Sequence, residues 1–115
     1  MELIFKTKSG AELYQDLDHT FISTNPCEVL ACIKEDIESS SLMDRIMAQS
    51  LLEAIAESQH GIFFDPKGPK NILTDKKGCF LVVDIEGNSM FGMSNPIRIE
   101  KLAVEKLKFP MQVIV

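Results

Sequence analysis

The run Cys79-Phe80-Leu81-Val82-Val83-Asp84-Ile85 constrains this chain most, because five consecutive apolar residues cannot face water from either side of an extended segment. The β-branched Val82 and Val83 favour a strand, and turn-forming sequences bracket the run: Asp75-Lys76-Lys77-Gly78 before it, Glu86-Gly87-Asn88 after it. It reads as the central strand of a sheet, with the chain returning through Ser89 to Met93 as a hairpin.

The remaining elements follow from periodicity and punctuation. Met1 to Lys8 alternates as a strand, and Ser9-Gly10 turns it into a second strand in which Ala11, Leu13, Leu17 and Phe21 face inward while Glu12, Asp16, Asp18 and Thr20 face outward. Asn25-Pro26 opens a helix, with Asn as cap, Pro at the first helical position and Glu28 placed to complete a capping box. Val29, Leu30, Ile33 and Ile37 form its buried stripe, and Ser39-Ser40-Ser41 ends it. A second helix spans about residues 42 to 59, with Met43, Ile46, Met47, Leu51, Leu52 and Ile55 apolar, and closes on His60-Gly61. Ile62 to Phe64 is a short strand and Asp65 to Asn71 a turn-rich loop, anchored by Ile72 and Leu73. Asn95-Pro96 starts a third helix carrying Ile99, Leu102, Ala103, Lys106 and Leu107, although Ile97 to Glu100 also alternates as a strand would. Met111 to Val115 reads as a final strand.

The order strand, strand, helix, helix, strand, strand, strand, helix, strand predicts an α+β domain, with about three helices on one face of a mainly antiparallel sheet. The echo between Phe21 to Pro26 and Phe91 to Pro96 is explained equally by a decayed duplication and by two helices needing the same start signal. A length of 115 residues, 45% hydrophobic and 25% charged, suits one globular domain over residues 1–115 and excludes a disordered chain. No run approaches a membrane span of about 18 apolar residues, and the N-terminus has no export signal, so a cytoplasmic location is expected. The odd number of cysteines, with Cys27 and Cys32 pointing different ways on one helix, predicts free thiols packed as small apolar groups.

Charge is distributed unevenly along the chain. Residues 1–60 hold 11 acidic against 4 basic residues, whereas residues 61–115 hold 6 against 8. Negative protein repels nucleic acid, so no nucleic-acid partner is expected; a basic protein is the natural complement. The candidate contacts are Glu28, Glu35, Asp36, Glu38, Asp44, Glu53 and Glu57 on the helical pair, with Tyr14 and exposed methionines as apolar anchors. Lys67, Lys70, Lys76 and Lys77 form a separate basic region.

For catalysis, Asp16, Asp18 and His19 are the densest group of potential metal ligands, and a metal there would need further donors such as Asp84 or Glu86. A thiol nucleophile would need Cys27, Cys32 or Cys79 beside His19 or His60 and a third orienting group, which nothing local marks. Neither a phosphate-binding glycine loop nor zinc spacing is present, and no cofactor is expected.

In size, acidity and expected location the chain resembles the small immunity proteins that bacteria keep against nuclease toxins, a likeness of properties and not of motif. The resemblance implies a non-enzymatic inhibitor, monomeric or homodimeric, whose carboxylates cover the cationic cleft of a toxin. A phage-encoded inhibitor of a host defence complex would carry the same features. The other readings are a small metal-dependent or thiol-dependent hydrolase using Asp16, Asp18 and His19, and a homodimeric regulatory or ligand-sensing domain pairing through the C-terminal strand.

Overall fold

The computed structural model describes residues 1–58, 60–64, 70–84, 90–93 and 95–107. Seven strands among them form one sheet in chain order: β1 (Glu2–Lys6), β2 (Glu12–Gln15), β3 (Phe21–Ser23), β4 (Ile62–Phe64), β5 (Lys70–Thr74), β6 (Phe80–Asp84) and β7 (Met90–Met93). Helices α1 (Pro26–Ile37) and α2 (Leu42–Glu57) intervene between β3 and β4, and α3 (Pro96–Leu107) follows β7. Every neighbouring pair is antiparallel except β3 with β4, which are parallel. The reason is connectivity: short turns join antiparallel strands, whereas the α1–α2 excursion carries the chain back to start β4 alongside β3.

The α+β class, the mainly antiparallel sheet and the three helices are those expected. Two strands are additional. The expected second strand divides because Asp16 Oδ1 accepts the backbone N–H groups of Asp18 and Thr20, each at 2.9 Å, and His19 takes a left-handed φ of 62°. That turn puts Leu17 into solvent at 95% exposure instead of into the core, because its apparent even spacing crosses a reversal of the chain. Lys70 to Thr74, read from sequence as loop and anchor, is β5, paired on both sides. The alternation at Ile97 to Glu100 is helical: Asn95 Oδ1 accepts from the N–H groups of Ile97 at 3.0 Å and Arg98 at 3.4 Å. The expected turn at Glu86 to Asn88, the Asp65 to Pro69 part of the loop and the strand Met111 to Val115 lie outside the described residues.

The helices also divide between the two faces, whereas the sequence reading put them on one. Consecutive strand residues point to opposite faces, and the core separates accordingly. Leu13, Phe21, Ile62, Ile72 and Phe80 pack with Val29, Ile33, Leu52 and Ile55 of α1 and α2. Leu73, Leu81 and Val83 pack instead with Ile99, Leu102 and Ala103 of α3. This explains the unbroken apolar run of β6: Phe80 serves one core, Leu81 and Val83 the other. β6 is interior, between β5 and β7, but stands one strand from the edge of the described sheet and not at its middle.

Local signals fix the joins. Asn25 caps α1, its Oδ1 accepting Glu28 N–H at 3.3 Å while its Nδ2 donates to Glu28 Oε2 at 3.2 Å, and Ser41 Oγ accepts Asp44 N–H at 3.4 Å to start α2. Lys106 of α3 reaches past the end of the sheet to donate to the carbonyls of Ala56 and Ser58, binding the last turn of α2 with a positive charge where the helix dipole favours one. All three cysteines are free thiols, Cys79 buried and the other two half-buried.

Candidate docking surface on the helical pair

Helices α1 and α2 lie on the same sheet face, so each turns one flank away from it toward solvent. On α1 the buried residues are Pro26, Val29, Leu30 and Ile33, and a rotation of 100° per residue carries Glu28, Ala31 and Glu35 to the outside. Glu28, Glu35 and Asp36 gather around Cys32: burial raises the thiol pKa first, and these three carboxylates raise it further, against a lowering by Lys8. Cys27 is likewise raised, by burial. Both thiols are therefore held away from the thiolate form that a cysteine nucleophile requires.

Helix α2 is apolar on two sides. Ala48, Leu52, Ile55 and Ala56 are buried, but Leu42, Met43, Ile46 and Met47, on the opposite side of the first two turns, are 62, 64, 54 and 63% exposed. Four large aliphatic side chains so placed form a contiguous stripe of a kind that soluble proteins seldom leave bare. Asp44 and Arg45 flank it; the Arg45 guanidinium donates to Ser39 O at 3.0 Å, holding it over the serine turn between the helices. Ile37, half-buried at the end of α1, lines a groove with Leu42, Ile46 and Gln49 beside the stripe.

The expected acidic contacts are only partly brought together. Glu28 is engaged within the fold, accepting from Ser9 Oγ and Asn25 Nδ2. Glu38 lines a groove between α1 and α2 that also holds Lys34, Lys76 and Lys77. Glu57 pairs with Lys76 at 3.0 Å, and Glu53 accepts from Gln49 Nε2 at 3.2 Å. Glu28, Glu35 and Asp36 thus gather around Cys32, Glu53 and Glu57 lie toward the end of α2, Asp44 is in its first turn, and three lysines share the groove of Glu38. Tyr14 belongs to neither: its neighbour Leu13 points into the core beneath α1 and α2, so Tyr14 projects from the other sheet face, where its hydroxyl donates to Glu12 Oε2 at 2.7 Å.

The group Asp16, Asp18 and His19 has a structural role, since one Asp16 oxygen accepts two backbone bonds of the turn. Among the described residues, no three His, Cys, Asp or Glu side chains are placed to hold a metal. No described helix is long and apolar enough to cross a membrane. Exposed methionines were expected as anchors without being placed; Met43 and Met47 are exposed on α2, and Leu42 and Ile46 beside them are the part that sequence reasoning missed. Its signal was present, because the apolar residues of α2 occupy more of the helical wheel than one buried face needs. Comparison of the chain with protein-family models, with curated proteins and with solved structures finds no match.

Proposed function

We propose that this chain is a non-enzymatic cytoplasmic inhibitor that binds a basic protein through the outward surface of α1 and α2. The observation that carries the reading is the stripe Leu42, Met43, Ile46 and Met47, each more than half exposed on successive turns. An apolar centre beside charged residues is the make-up of a protein interface, in which methionine adapts to the partner and charge sets orientation and association rate. Covering the exposed parts of these side chains contributes about 1 kcal/mol each, enough for an energetic centre once the surrounding carboxylates add steering. Glu35, Glu38 and Asp44 are exposed acids of the two helices and supply the charge; the lysines beside Glu38 restrict the attraction to a patch smaller than the whole acidic half of the sequence. A toxin domain or a host defence complex with an apolar knob in a cationic setting is the class of partner that fits.

Affinity capture from the source cell tests this with two variants, Ile46→Gln/Met47→Gln and Glu35→Lys/Asp44→Lys. A basic protein should be retained by the parent chain at about 0.05 M salt and lost from both variants, with weaker retention near 0.5 M, where the Debye length falls below about 5 Å. Retention unchanged in both variants would refute the reading. Should light scattering show a dimer that Ile46→Gln/Met47→Gln dissolves, the stripe is a self-association face instead.

A further inference from the structure

A second site lies between the β5–β6 turn and α3, and its Lys76 and Lys77 also border the groove of the helical pair. Here a cleft of about 440 Å³ is bounded by Lys76 and Lys77 on the turn and by Arg98, Lys101 and Glu105 on α3, with Asp75 at its side. Its volume lies in the range that encloses a small organic molecule and exceeds what a bare anion needs. Four of the 12 basic residues of a chain with net charge −5 line this one cleft, which an even scatter of charge over an acidic protein would not produce.

The positive groups are held by construction. Asp75 Oδ1 accepts the N–H groups of Lys77 at 2.9 Å and Cys79 at 3.1 Å, which fixes the turn, while Gly78 takes a φ of +83°. Asp75 Oδ2 accepts from Nε of Arg98 at 3.1 Å and from Nη2 at 2.8 Å. The guanidinium is thereby anchored through two of its five N–H donors, and among the described residues the other three have no protein acceptor. Since Asp75 is committed to this ion pair and to the turn, Glu105 is the cleft-wall carboxylate that has no ion pair among the described residues. Lys76 is paired with Glu57 on the solvent side, but both side chains are at least 60% exposed, so that pair is weak and its ammonium can turn inward.

We propose that this cleft binds a small phosphate monoester, its dianion held by Arg98, Lys77 and Lys101 and its organic part lying along the α3 wall. Three cations lining one cleft suit a doubly charged group better than a carboxylate, and a fixed guanidinium matches the geometry of phosphate oxygens. Glu57 and Glu53 act on Lys76, and Glu100 shares a groove with Lys101 and Glu105, so negative charges border the cleft and disfavour a continuous nucleic-acid strand.

The test is amide NMR of the parent chain with ribose 5-phosphate, ribose and inorganic phosphate as probes. Ribose 5-phosphate should give saturable shifts at Lys77, Gly78 and Cys79, and ribose should give none. Lys77→Gln/Lys101→Gln, both at exposed positions, should weaken binding by about tenfold, and Glu105→Gln should tighten it by roughly threefold. No saturation at concentrations of about 10 mM, or an affinity unmoved in Lys77→Gln/Lys101→Gln, would overturn the proposal. Inorganic phosphate binding as tightly as the sugar phosphate would overturn the monoester assignment, and so would the same shifts arising from a short single-stranded oligonucleotide alone. The shifts are read on the β5–β6 turn with a sugar phosphate, whereas docking is read with Ile46→Gln/Met47→Gln, so failure here leaves the protein-docking reading in place.

Discussion

Gly61 is a tight point where the chain leaves α2 for β4, and replacing it with alanine should cost more than the same change at Gly10 or Gly78. Its φ is +66°, a conformation that costs an L-residue roughly 1–2 kcal/mol. The new Cβ would lie 2.9 Å from the carbonyl carbon of Ile72 and 3.1 Å from Cα of Leu73, and closer still to the Ile72 oxygen. These are backbone atoms of β5, so no side-chain rotation relieves the collision. β4 and β5 would have to part at the Ile62–Ile72 pair, where both side chains are fully buried. Overpacking of this kind adds about 1–3 kcal/mol, for a total of about 2–5 kcal/mol out of a stability of roughly 5–15 kcal/mol. Gly10→Ala is the control: its φ is +100°, but nothing lies within 4 Å of the added carbon, so only the conformational cost of about 1–2 kcal/mol applies. In urea unfolding, at about 1–3 kcal/mol per molar, the midpoint of Gly61→Ala should fall by at least roughly 1 M, and by clearly more than that of Gly10→Ala. Equal losses in the two variants would refute the argument, since they would mean that contact with β5 contributes nothing.

Two further outcomes rest on side chains. Asp75→Ala should lose about 2–3 kcal/mol in the same assay, because it frees two turn N–H groups and the anchored Arg98 together; Asp75→Asn keeps an acceptor for the turn and should lose less, so equal losses would remove the turn's share. Alkylation of Cys32 by iodoacetamide near pH 8 should run slower than that of free cysteine, because a raised pKa leaves less thiolate, and Glu35→Gln should speed it in part; a rate at or above that of free cysteine contradicts the assignment.

The legible parts of this chain are those fixed within a few residues. The caps Asn25 and Asn95 and the turn at Gly10 depend on one side chain or one dihedral, and each stands where local chemistry puts it. Leu17 shows the limit of periodicity. Its spacing from Leu13 and Phe21 satisfies an inward pattern, but Asp16 turns the chain beneath it, and alternation has no meaning across a reversal. β5 was obscured for a related reason, because its alternate sides serve different cores and Lys70-Asn71 resembles the preceding loop. The candidate site was read in outline through its acids, while its apolar centre was anticipated only as exposed methionines with no assigned face. A helical wheel separates the faces of α2 but does not say which of two apolar faces the sheet will cover.

By itself the sequence determined the α+β class, the three helices and their starting points, and a strand at Phe80 to Asp84 too apolar for any edge exposed to water, because each of these follows from short-range geometry and the hydrophobic effect. Tertiary structure decided the placement of α3 on the opposite sheet face, the exposure of the α2 stripe, and the gathering of Lys34, Lys76 and Lys77 in the groove of Glu38. It also joined Asp75 to Arg98, residues 23 apart, and so built the cationic cleft. Such features depend on which surfaces meet after the chain has folded back on itself, and residue spacing carries no record of that choice.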